Sequence, residues 1–117
     1  MGVLKICNAR ERWEIMQIID KNLYKEAISK FGTSAQIIIA MEECSELIKE
    51  LSKVLRGKCN VDNVSEEIAD VQIMLEQLKI IFNCGSGVDM WILNKNCRIA
   101  DLIKEYANKA KGGKNDY

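Results

Sequence analysis

The chain has 117 residues, of which 48% are hydrophobic, and it balances 17 basic against 17 acidic side chains. That length buries a core within one domain, the apolar content excludes a disordered chain, and neutrality gives no electrostatic reason to expect nucleic acid or an anionic membrane as partner. Histidine and proline are both absent, which removes imidazole-dependent nucleophilic mechanisms and most zinc sites, and also the main interruption of helices.

Turn signals divide the sequence into four helical stretches. The first is predicted over residues 8–30, with Trp13, Met16, Ile19 or Leu23, and Ala27 at helical spacing, and it stops at Phe31-Gly32. Thr33 is a suitable N-cap for the second, and Gln36 three residues on completes a capping box. That helix is predicted to reach Arg56 and stop at Gly57. Residues 58–62 form a loop. Asn63 and Glu66 again have capping-box spacing, so the third helix is placed from Asn63 to Phe82. Residues 83–87 are a loop by composition, and Ser86 is the candidate N-cap of a fourth helix running to Ala110. The polar, glycine-containing residues 111–117 are expected to be a disordered tail.

Segments of alternating β-branched residues are missing, so no sheet is expected. Four amphipathic helices with short connections predict an all-α single domain over residues 1–110, built as a four-helix bundle. Ile37, Ile38 and Ile39 cover more than one face of a helix, and Ile80 with Ile81 adds to the apolar surface. A homodimer or homotetramer is therefore expected. The five cysteines are odd in number and form no CxxC pair. They read as reduced thiols that serve as small buried or half-buried hydrophobes. With no signal-peptide pattern and no apolar span, the chain is expected to be soluble and cytoplasmic, with no membrane partner.

The informative residues are acidic. Glu42, Glu43 and Glu46 lie on the second predicted helix, and Glu66, Glu67 and Asp70 on the third. On a helical wheel, Val64, Ile68, Val71, Met74, Leu75, Leu78, Ile81 and Phe82 define the apolar arc of the third helix, with Glu67 inside it and Asp70 at its edge. On the second helix the arc is Cys44, Leu47, Leu51, Val54 and Leu55, with Glu43 at its margin and Glu46 one turn along and further out. Lys49, Lys53 and Lys79 fall mostly on outer faces. Carboxylates aimed at a core need a cation between them. An oxygen-only donor set without imidazole or a thiolate pair suits Mg2+, with Mn2+ as substitute. Glu43, Glu46, Glu67 and Asp70 are the candidate metal ligands, and Glu42 and Glu66 point further outward.

The run Glu42-Glu43-x-x-Glu46, followed on the next helix by Glu67-x-x-Asp70, resembles the EExxE…ExxD signature of the MazG-like nucleotide pyrophosphohydrolases, in the all-α NTP pyrophosphatase superfamily. The resemblance spans roughly Phe31 to Tyr106. It implies the four-helix bundle of that superfamily, assembled as a dimer or tetramer, and Mg2+ held by Glu43, Glu46, Glu67 and Asp70. It also implies phosphate-binding basic residues on the following helix, at Lys95 and Arg98. The implied reaction is a nucleoside triphosphate plus water giving a nucleoside monophosphate and pyrophosphate, as nucleotide-pool house-cleaning. With no histidine the general base must be a carboxylate, Glu42 or Glu46. Trp13 is a candidate to stack on the base, although core packing is the commoner role of such a residue. Two alternatives stand beside this reading: a non-enzymatic helical oligomerisation module, and an enzyme resembling phosphoribosyl-ATP pyrophosphohydrolase.

Overall fold

The structure is a computed structural model that describes residues 8–112. Among these residues there are four helices and no strand: α1 (Ala9–Phe31), α2 (Thr33–Leu55), α3 (Val61–Ile81) and α4 (Gly85–Gly112). They fall into two compact units, one ending at Asn83 with α1–α3 and the other starting at Cys84 with α4.

The helix ends follow local chemistry. Asn8 caps α1: its side chain accepts from the Glu11 backbone N–H, and the Glu11 carboxylate accepts from the Asn8 N–H in return. Gly32 ends α1 and begins α2 with φ 91°, a left-handed conformation that a side chain with a Cβ would strain. The capping box predicted at Thr33 and Gln36 is absent. Thr33 is already helical, α2 has no side-chain cap, and the Gln36 amide turns inward instead. The start of α3 is also displaced from its predicted position. Asn60 is the N-cap, accepting from the Asn63 N–H, so residues 61–63 belong to the helix rather than to a loop. Helix α4 begins at Gly85, ahead of the predicted cap Ser86, and runs through Lys111 and Gly112. The rest of the predicted tail, residues 113–117, lies outside the described residues.

In the first unit, α2 packs along α3, and α1 lies against both. Gln36 on α2 meets Gln77 on α3, and Glu43 on α2 meets Asp70 on α3. Numbering rises along one helix as it falls along the other, so the two helices are antiparallel. The buried line of this pair differs from the apolar arcs read from the sequence. Ala40 and Met74 are its buried hydrophobes, and Gln36, Glu50 and Gln77 are buried with them. Leu51 and Leu55 of the predicted α2 arc are exposed, as are Ile68, Leu75 and Phe82 of the α3 arc. On α1, Trp13, Met16 and Leu23 are exposed, while Tyr24, Ala27 and Ile28 are half-buried. The inward face of these helices is thus more polar than apolar periodicity predicts, and much of the large hydrophobic surface faces outward.

Helix α4 is amphipathic and contains no buried residue. The cysteines also depart from expectation. Cys44, Cys59 and Cys97 are exposed free thiols, and only Cys84 is half-buried; Cys7 lies outside the described residues. No helix among the described residues is long and apolar enough to cross a membrane.

Candidate metal centre

Glu43, Glu67 and Asp70 converge between α2 and α3. Each contributes one carboxylate oxygen, these atoms lie within 4.8 Å of one another, and all three residues are half-buried. The geometry follows from helical spacing. Glu67 and Asp70 are one turn apart and so share a face of α3, and the antiparallel pairing sets Glu43 across from them.

The electrostatics of the cluster are those of crowded carboxylates. The Glu43 carboxyl is raised above its ordinary range, first by partial removal from water and then by the Asp70 charge and a hydrogen bond shared with Asp70; Glu46 and Glu42 add to the shift. Glu67 is raised by the same desolvation, then by Asp70, Glu43, Glu46 and Glu66. The charges acting on Glu67 are all negative. One of its oxygens, Oε2, is shielded from solvent and has no hydrogen-bond partner. A shielded carboxylate oxygen without a donor is costly. Two things relieve that cost, a retained proton or a cation.

Two of the three lysines weighed as partners for the cluster, Lys53 and Lys79, are engaged elsewhere. Lys53 bonds the buried Glu50 carboxylate at 2.9 Å, and Lys79 bonds Glu76 at 2.6 Å. Both are half-buried rather than on the outer faces assigned from the sequence. The donor set is hard and oxygen-only, and the orphaned Glu67 oxygen is open to a proton or to a cation. By donor chemistry, these three residues could hold a small, hard divalent cation.

The other candidate residues are placed as follows. Glu46 is exposed and stands outside the tight group, yet its charge reaches both Glu43 and Glu67. Glu42 is exposed, and its backbone carbonyl accepts from the Ser45 hydroxyl at 2.7 Å. Glu66 is exposed and adds only its charge. Lys95 and Arg98 are exposed on α4, where the Lys95 ammonium lies 5.5 Å from the centre of the Trp91 ring. Trp13 is 64% exposed, so the core-packing role does not hold in this chain. What sequence reasoning passed over is the buried Gln36–Gln77 amide pair, with Gln36 Nε2 donating to Gln77 Oε1 at 2.6 Å. Its signal was present: Gln36 lies seven residues before Glu43, and Gln77 seven after Asp70.

No family model, curated protein or solved structure matches the chain.

Proposed function

We propose that this protein is a Mg2+-dependent nucleoside triphosphate pyrophosphohydrolase of the MazG-like kind, working as a homo-oligomer. The reading is carried by one observation: Glu43, Glu67 and Asp70 bring carboxylate oxygens within 4.8 Å of one another, at the motif positions that carry the resemblance. The orphaned Oε2 of Glu67 supports it. When bound, the metal supplies positive charge for the triphosphate oxygens and acidifies a coordinated water.

The protein's own part is to hold and to take a proton. Glu43, Glu67 and Asp70 form the three-sided cradle. Glu46, one turn from Glu43 and exposed, would accept the proton of the attacking water, with Glu42 as the alternative. The water oxygen adds to phosphorus, its proton passes to the carboxylate, and the link between the α- and β-phosphoryl groups breaks to release pyrophosphate. Lys95 and Arg98 enter through the resemblance alone, as donors to phosphate oxygens.

The reading is tested by a screen of canonical and modified NTPs and dNTPs, with Mg2+ against Mn2+ against EDTA. Metal-dependent turnover of at least one triphosphate is expected. Absence of turnover across the panel, with the protein folded, would overturn the proposal.

A further inference from the structure

Three of the five buried residues of the described chain are polar: Gln36, Glu50 and Gln77. They form a pattern with the carboxylate cluster. On α2, Gln36, Glu43 and Glu50 recur every seven residues, and on α3 Asn63, Asp70 and Gln77 do the same. Seven residues are two helical turns, so each set lies on one stripe of its helix, with members about 10 Å apart along the axis. The stripes face each other at two layers, Gln36 with Gln77 and Glu43 with Asp70. One inter-helix amide bond therefore sits two turns from the metal-ligand layer, in line with it on both helices.

The amide pair is a poor device for stability. Both side chains are 4% exposed, and Gln36 Oε1 is buried with no partner. A half-satisfied buried polar pair is less stabilising than apolar side chains of the same shape. What such a pair supplies is direction. Sliding α2 along α3 breaks the 2.6 Å bond inside the protein, whereas apolar side chains tolerate a slip. Single buried polar residues fix helix register in this way at a cost in stability.

We propose that Gln36 and Gln77 are positioning residues for the carboxylate cluster: their bond pins the axial register of α2 on α3 and so holds Glu43 opposite Asp70. This rests on the metal-centre reading above. The amides do not touch the metal; they fix where its ligands stand.

The test is Mn2+ alone, without nucleotide, titrated into wild type and into the double variant Gln36→Met/Gln77→Met, with free Mn2+ read by electron paramagnetic resonance. Apo melts in EDTA accompany it. Methionine keeps the length of glutamine and packs readily. The double variant is expected to melt at the same temperature as wild type or higher, and to bind Mn2+ about tenfold more weakly, the low end of the loss seen when groups bonded directly to metal ligands are removed. If the double variant gives no cooperative melt, Gln77→Asn takes its place. It keeps an amide but withdraws it by one methylene, and the same loss of affinity is expected. Wild-type affinity for Mn2+ in the folded variant overturns the inference, because a purely structural pair moves the melt and leaves the metal alone. If wild type itself binds no Mn2+, the metal-centre reading fails, and this inference falls with it.

Discussion

Glu67 concentrates the chemistry of this molecule in one side chain. It is half-buried, has an oxygen without a partner, and is surrounded by Asp70, Glu43, Glu46 and Glu66. Its carboxyl and that of Glu43 are raised in the folded chain above their ordinary value of 4.5. The sign of the consequence follows directly. A raised folded-state acid binds more protons than the unfolded chain does, so its favourable contribution is complete below the ordinary value. It is lost as pH rises through the folded value. In EDTA, the wild-type melting temperature relative to that of Glu67→Gln is therefore expected to fall as pH rises from about 4.5 toward neutrality. At neutral pH the variant is expected to melt at the same temperature or higher, since it removes one charge from a repelling group. Added Mg2+ should raise the wild-type melt by ligation of the folded state and should raise the variant's much less. A Glu67→Gln variant that loses stability in EDTA yet keeps the full Mg2+ response would contradict Glu67 as a metal ligand.

At the scale of the helix, capping and register do the work that apolar periodicity does not. Asn60 accepts the Asn63 N–H and so fixes where α3 begins. Asn60→Ala is expected to cost about 1 kcal/mol by urea denaturation, with the carboxylate cluster unchanged. Asn63→Ala should cost little, although its capping-box spacing with Glu66 makes Asn63 the cap expected from the sequence. Here the limits of sequence reading are physical. The helices and their approximate ends were legible because glycine, asparagine and the absence of proline punctuate them. The acidic cluster was legible because spacing puts Glu67 and Asp70 on one face. The true buried stripe was not, because a wheel centres on the large apolar residues. Leu51 and Leu55 dominated the α2 wheel, yet the helix buries Gln36, Ala40 and Glu50. Capping-box spacing likewise pairs Gln36 with Thr33 in the sequence, whereas its amide N–H donates across the helix pair to Gln77.

At the scale of the whole molecule, part of the outward hydrophobic surface gathers in one groove. Ile37, Met41, Cys44 and Ile48 of α2, with Leu78 of α3 and Phe82 just past its end, line an open apolar groove of ≈ 470 Å³. Met41, Ile48 and Phe82 are each more than 60% exposed, at 68%, 67% and 62%. Exposed apolar surface of this kind fits a subunit contact, in keeping with the proposed homo-oligomer. Met41→Lys/Ile48→Lys is expected to shift light-scattering mass toward that of the monomer, while the apo melt of the α2–α3 pair persists. A wild-type protein already monomeric at micromolar concentration would refute the assembly.

Which phosphoanhydride bond breaks decides the proposed chemistry. Phosphorus-31 NMR of a turned-over nucleoside triphosphate with Mg2+ and wild-type protein is predicted to show a nucleoside monophosphate and pyrophosphate growing together, with neither appearing for Glu67→Gln. Nucleoside diphosphate with orthophosphate, or equal turnover by the variant, would contradict it.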